Sequence, residues 1–175
     1  YPEVLTMEEQ SADEDELWSD LSQAIREACT QFVATRTTEG EHLKQDLVEK
    51  LHHMRDNVDK VEQRAPQIIA EYRSKLMEKV NELLGDTQID EARLSTEIVL
   101  FADKICTDEE TVRLKSHITS MLNALERSEG IGRKLDFIAQ EMNREANTIL
   151  SKSNDLETSD IAIELKTEIE KVREQ

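Results

Sequence analysis

The sequence has few of the residues that form turns, strands and cross-links. Its 175 residues include 4 glycines, 2 prolines and 2 cysteines, and aromatic residues make up 3%. No run of β-branched and aromatic residues is bounded by turn residues, so we do not expect a β-sheet. Cys29 and Cys106 have neither the spacing of a zinc site nor a disulfide pattern. Both fall on apolar helical stripes, so we predict buried free thiols and a reducing, cytoplasmic location.

Long hydrophobic runs and the short motifs of several common enzymes are also absent. No apolar stretch approaches the roughly 20 residues that a membrane helix needs, so no membrane partner is predicted. The chain contains no P-loop, no GxSxG motif and no CxxC pair. The familiar signatures of nucleotide-phosphate binding, of serine hydrolases and of dithiol chemistry are therefore missing.

Charged residues are abundant, at 35% of the chain, and the net charge is −17. This composition predicts an all-α fold of long helices packed on aliphatic seams. The net charge at first argues against nucleic acid, because phosphate binding needs Lys and Arg. The stretch from Thr111 to Lys152 differs, since it contains 7 basic and 5 acidic residues. A locally positive patch on an acidic body can still bind RNA.

The spacing of apolar residues predicts two parts. We expect a first helix from about Asp13 to Arg64 that continues through Gly40, with a break near Gly40 as the alternative. After Pro66 a second helix is expected from 67 to 84. We predict that these two helices form a long antiparallel hairpin over residues 11–88, preceded by a remnant of another segment at residues 1–10. Residues 89–175 are predicted to form a compact bundle of four helices.

Capping signals mark the helices of this C-terminal bundle. Thr107 and Glu110 match a capping box at the start of one helix, and residues 153–155 suggest a break before a last helix that begins near Thr158. The helix between them, residues 131–155, is amphipathic, with one apolar stripe and an opposite polar face. That face carries Arg133, Asp136, Gln140, Arg144, Asn147 and Ser151.

The same helix contains the sequence GRKLDFIAQEMNREANTI…SKSND, preceded by DEARLSTEIVLFADKICTDEETVRLKSHI and followed by IAIELKTEIEKVREQ. These segments, with EGEHLKQDLVEKL earlier in the chain, resemble the YicC/YloC family of bacterial stress-associated endoribonucleases. Two departures stand out: Leu150 occupies a position where the family usually has Gly, and no segment resembles the family's N-terminal S-M-T-G-aromatic-G motif. Because the chain starts at Tyr1, we expect it to be the C-terminal part of a longer protein.

The resemblance gives the polar residues candidate roles. Glu141 and Glu145 are four residues apart, and with His117 they are candidate catalytic residues and tentative ligands for Mg²⁺ or Mn²⁺. Local pairing of Glu141 with Arg144 or Lys134 is an equally simple interpretation. The candidate RNA-binding residues are Arg113, Lys115, Arg133, Lys134, Arg144, Asn147 and Lys152. The amides of Gln140, Asn143 and Asn147 either bind RNA or tie helices or subunits together.

Two functions remain open from the sequence. The first is the RNA-processing module of a metal-assisted endoribonuclease that cleaves RNA phosphodiesters, with RNA and not DNA as its partner. The alternative is a non-catalytic scaffold that assembles a homo-oligomer through helical seams, while catalysis needs the absent N-terminal part. In either case a helix that is apolar along so much of its length is expected to self-associate.

Overall fold

The computed structural model describes residues 13–84, 91–127 and 130–175, and these residues form helices and no strand. The five helices are α1 (Glu14–Leu84), α2 (Glu91–Ile105), α3 (Asp108–Leu125), α4 (Gly132–Lys152) and α5 (Leu156–Glu174). The all-α prediction is confirmed. The remnant expected at residues 1–10 lies outside the described residues. No helix in the described ranges combines the length and apolar character needed to cross a membrane.

The helix α1 runs through both Gly40 and Pro66, so the predicted hairpin of two helices over residues 11–88 is wrong. Proline lacks the N–H that would bond the carbonyl of Glu62, which normally favours a break. Here Pro66 and Glu62 are both exposed, so water can bond that carbonyl. Arg64 also joins the two sides of the proline, because its Nη1 lies 2.5 Å from Oε1 of Glu71. Continuity through Gly40 agrees with the prediction.

The contacts divide the chain into two compact units, residues 1–43 and residues 44–175. This division differs from the boundary expected near residue 88, because residues 44–84 of α1 group with the C-terminal helices. Five apolar residues of α1 are buried in the common core, namely Leu47, Leu51, Met54, Val58 and Val61. They share this core with apolar residues of α3, α4 and α5.

Polar contacts fix α1 to the bundle beside this core. Lys115 of α3 lies 2.6 Å from a carboxylate oxygen of Asp59 and 2.6 Å from one of Glu62. Arg55 donates a hydrogen bond to Thr119 at 2.8 Å. Near the C-terminal end of α1, the rings of Tyr72 and Phe101 stack with 3.6 Å between their centroids.

The first unit is different, because the apolar stripe of α1 stays exposed there. The side chains that remain open to solvent are Leu17, Trp18, Leu21, Ile25, Phe32 and Val33. Within the described residues nothing covers this stripe. Cys29, in the same unit, and Cys106, in the second unit, are both exposed free thiols. The prediction that they are buried is wrong, because position on an apolar stripe buries a residue only where another element packs on it.

Candidate nucleic-acid interface

The helix α4 lies between α3 and α5 and buries one side against both. The buried side presents Ile138, Ala139, Met142, Ala146 and Ile149 to the core. These residues recur every three or four positions, which gives a single stripe on a helix of 3.6 residues per turn. The opposite side of α4 is therefore free of the bundle, and the amphipathic pattern in the sequence fixes which residues it carries.

That outward side forms an open groove of about 520 Å³. It is lined by Gln140, Asn143, Arg144, Asn147, Thr148 and Ser151. All six side chains are polar, and they offer amides, hydroxyls and a guanidinium. Such groups can donate hydrogen bonds to phosphate oxygens or to the edges of unpaired bases.

Three of the predicted RNA-binding cations lie on this exposed side of α4. Arg133 and Lys134 are exposed and have no ion-pair partner among the described residues. Arg144 is also exposed, and its Nη1 lies 3.3 Å from Oε2 of Glu141. An exposed pair one helical turn apart is weak, so this guanidinium can exchange its partner for a phosphate.

The other three predicted cations are engaged within the protein. Burial alone would lower the pKa of Lys115, but its hydrogen bonds to Asp59 and Glu62 outweigh this effect and raise it. The pKa of Lys152 is raised by its hydrogen bond to Glu110, at 2.8 Å. Arg113 bonds Glu109 in its own helix. The sequence places all six cations in one stretch, whereas the fold uses Lys115 and Lys152 to hold helices together and pairs Arg113 within α3.

The three predicted catalytic residues differ in their surroundings. Glu141 is partly exposed beside Arg144, whereas Glu145 is 6% exposed and faces Arg113 Nη1 at 3.8 Å. His117 is half-buried on α3 and takes part in no hydrogen bond or ion pair with the residues that the structure describes. Their spacing on the helix is as predicted, but the two carboxylates have different partners.

These residues do not form a metal site within one chain. Across 13–84, 91–127 and 130–175, no group of three or more His, Cys, Asp or Glu side chains is placed to hold a metal ion. Glu141 and Glu145 project from the same helix, but the buried position of Glu145 directs it towards α3. Metal ligation by Glu141, Glu145 and His117 therefore stays a prediction from the sequence.

The amides on α4 serve partly to connect helices. Asn143 donates to Glu170 of α5 at 2.8 Å, and Asn147 donates to Asn143 at 3.4 Å. Gln140 donates to Asp136, which also accepts from Arg173 of α5. Asn143 therefore takes the helix-tying role, while Gln140 and Asn147 stay exposed along the groove.

Phe137 was not singled out from the sequence, and Glu110 was given a different role there, as part of a capping box. Phe137 is 63% exposed on the polar side of α4, which its spacing from Arg133 and Arg144 already implied. Glu110 is buried and pairs with Lys152. Thr107 does take the N-cap position of α3, but its side chain makes no capping hydrogen bond, so the capping box is not formed. No local pattern in the sequence indicates that Glu110 pairs with Lys152, because the two residues are 42 positions apart.

The described residues thus form an all-α bundle in which one helix, α4, carries a polar, cation-bearing side on a chain of net charge −17. Comparison with known families makes this specific. Residues 61–175 match the family described as endoribonuclease YicC-like, C-terminal, and residues 1–45 match the corresponding N-terminal region. The chain belongs to the YicC-like endoribonuclease family.

Curated relatives agree with this assignment. The chain is 41% identical to a probable endoribonuclease YicC of Clostridioides difficile, over 176 residues. It is 36% identical to a protein of the same description from Haemophilus influenzae, over 175 residues. Each match covers 100% of this chain and 60% of the relative. The chain therefore spans about three fifths of the length of these relatives.

Proposed function

We propose that this chain is the RNA-contacting helical part of an endoribonuclease, and that the outward side of α4 binds the RNA backbone. The main support is the concentration of exposed cations, Arg133, Lys134 and Arg144, beside a polar groove on a protein of net charge −17. RNA is the substrate class named for the family and for the relatives. Phosphate neutralisation by such cations releases counterions and makes binding depend on salt.

The test measures binding of a labelled single-stranded RNA by the full-length protein over a range of salt concentrations. In a triple variant, Arg133→Gln, Lys134→Gln and Arg144→Gln, we expect weaker binding and a slope of log affinity against log salt that is smaller by about 2. The matched control changes Arg26, Arg73 and Lys79 to Gln, which removes the same charges from exposed positions of α1. Equal slopes in the triple variant, the control and the unchanged protein would contradict the proposal, and a DNA strand of the same sequence tests the preference for RNA.

Cleavage is a separate part of the proposal. Glu141, Glu145 and His117 remain the proposed catalytic residues, and assistance by Mg²⁺ or Mn²⁺ remains a prediction from the sequence. In the full-length protein, Glu141→Gln, Glu145→Gln and His117→Asn should each reduce cleavage while circular dichroism and RNA affinity stay the same. Chelation by EDTA should stop cleavage, and added Mg²⁺ or Mn²⁺ should restore it. Unchanged cleavage in the Glu141→Gln/Glu145→Gln protein would exclude the two carboxylates.

The alternative function is a helical scaffold that assembles a homo-oligomer. It is supported by the exposed apolar stripe of residues 17–33, which exceeds the scattered apolar residues of ordinary surfaces. If this stripe joins subunits, Leu21→Glu with Phe32→Glu should lower the mass measured by sedimentation, whereas Val99→Glu, at an exposed apolar position of α2, should not. If the chain only assembles subunits, the triple variant described above should bind RNA as well as the unchanged protein does.

A further inference from the structure

Phe137 is the exception among the large apolar residues of α4. Leu135, Ile138, Met142 and Ile149 are buried in the core or packed against it, whereas Phe137 is 63% exposed. The ring cannot pack in the core, because position 137 lies on the side of the helix opposite the buried residues Ala139 and Ala146. An exposed aromatic ring at the centre of a polar face has no role in folding that the described contacts reveal.

The neighbours of Phe137 lie on one line along the helix. Residues 133, 137, 140, 144, 147 and 151 follow steps of four and three, which keeps them on one side of a helix of 3.6 residues per turn. Phe137 lies one turn from Arg133 and two turns from Arg144, so the ring stands between two guanidinium groups. At 1.5 Å per residue, the two arginines are about 16 Å apart along the axis.

Each nearby acidic group has a cation partner in the structure, and only the partner of Glu141 would be shared with a bound anion. Asp136 accepts a hydrogen bond from Arg173, which together with Gln140 lowers its pKa. Glu141 pairs with Arg144. A polyanion that displaced this last pair would lose little, since exposed pairs contribute at most about 1 kcal/mol.

We infer that Phe137 is a stacking platform for an unpaired base of RNA, with Arg133 and Arg144 binding phosphates on either side of it. This inference rests on the proposed function and goes further, because it makes single-stranded RNA with free base faces the preferred substrate class. Bases within a duplex are already stacked and present no face to the ring. Every base has such a face, so the platform is tolerant of sequence.

A second protein helix fits this stripe poorly. Helix-binding surfaces use several apolar anchors at spacings of three and four, whereas Phe137 is the only apolar side chain of the six. Among the described residues, the stripe of residues 17–33 has that apolar character. The stripe of α4 instead alternates a ring, two cations and hydrogen-bonding amides, which is how single-stranded nucleic acid is bound.

The test separates base contacts from phosphate contacts by comparing two ligands of equal charge. Oligoadenylate and an abasic ribose-phosphate strand of the same length are bound by the full-length protein at low temperature, and gels confirm that the strands stay intact. We expect the unchanged protein to prefer oligoadenylate, and Phe137→Ala to reduce that preference by about tenfold. Phe137→Trp should keep the preference and Phe137→Leu should lose it, because the ring and not the apolar character is required.

Two further measurements test whether Phe137→Ala changes RNA binding only by altering the structure of the protein. The slope of log affinity against log salt should be the same in Phe137→Ala as in the unchanged protein, because no phosphate contact is removed. Val112→Ala, at a position 65% exposed on α3, is the matched control and should change neither affinity nor preference.

The possible failures can be told apart. If the unchanged protein binds neither strand, the proposed function itself is wrong. If it binds both strands and Phe137→Ala leaves the preference for oligoadenylate intact, RNA binding stands and the stacking inference is overturned. If Phe137→Ala instead lowers the mass of the protein in sedimentation with RNA preference unchanged, the ring is a subunit contact and the inference is likewise overturned.

Discussion

Glu110 shows how much one buried residue depends on a distant partner. It is 5% exposed, and its Oε1 accepts a hydrogen bond from Lys152. Its Oε2 is buried and has no hydrogen-bond partner within the described residues. Removal of one member of a buried pair leaves the other charge uncompensated, which costs more than the pair contributes.

We therefore predict that Lys152→Met lowers the free energy of unfolding, measured with urea, by about 2 kcal/mol. The loss is smaller than for a fully buried pair, because the lysine is partly exposed. The double variant Lys152→Met with Glu110→Gln should recover part of that loss. Lys171→Met, which removes an exposed lysine paired with Glu168 on α5, is the control and should change little. Equal effects of Lys152→Met and Lys171→Met would show that burial of Glu110 is unimportant.

Asp155 links the start of α5 to α1. Its side chain caps α5 by accepting from the backbone N–H of Thr158 at 3.0 Å, and Arg64 Nη2 lies 2.8 Å from its Oδ1. The hydrogen bond from Arg64 lowers the pKa of Asp155, and the bonds from Thr158 add to this while burial opposes it. The folded state therefore binds this proton less readily than the unfolded chain does.

The consequence is a stability contribution that is complete above the pKa of the unfolded carboxyl, about 4, and is lost as the pH falls through the lower folded value. Asp155→Asn keeps a good N-cap residue but removes the charge. We expect it to lower the free energy of unfolding at pH 7 by about 1 kcal/mol and to flatten the fall in stability below pH 4. Urea titrations at pH 7, 5, 4 and 3 measure both effects, and parallel curves for the two proteins would contradict the prediction.

At the scale of an element, α1 contains a proline in an uninterrupted helix. A proline inside a helix costs about 3 kcal/mol relative to alanine, because one hydrogen bond is lost and the ring crowds the preceding turn. Arg64 compensates on one side of the helix by bonding Glu71. Exposure of Pro66 means that no packing would be disturbed by its replacement.

Pro66→Ala should therefore stabilise the protein, by about 1–3 kcal/mol in urea unfolding, and should raise helical circular dichroism slightly. Ala70→Pro, at an exposed α1 position one turn further, is the reverse control and should destabilise by a similar amount. A loss of stability in Pro66→Ala would mean that the proline sets a local geometry on which the bundle depends.

At the scale of the whole molecule, the net charge of −17 means that salt should affect folding and RNA binding in opposite ways. Repulsion among the excess acids destabilises the compact state, and salt screens it. The RNA binding proposed for the cations on α4 should instead be weakened by salt, because cations that neutralise phosphates release counterions.

Raising NaCl from low to physiological concentration should thus increase the melting temperature by a few degrees, since about 1 kcal/mol shifts it by roughly 2–4 °C in a domain of this size. The same change should reduce affinity for single-stranded RNA several-fold. Calorimetry and binding measurements in matched buffers test whether salt raises the melting temperature while it lowers the affinity for RNA. Weaker RNA binding at low salt would indicate that the acidic body, and not the face of α4, controls the encounter.

The amino-acid sequence alone determined the helical class, the helix starts and ends around α3, α4 and α5, and which residues share the outward side of α4. These features depend on local periodicity and capping, which a single chain segment carries. Even the exposed position of Phe137 follows from its spacing. The tertiary structure decided which charged groups have partners: Lys115 and Lys152 bind acids on other helices, and Glu110 pairs with Lys152 instead of forming a capping box. It also decided that α1 continues through Pro66. Each of these outcomes depends on a partner many residues away or on what packs over a surface, and neither is visible in a local pattern.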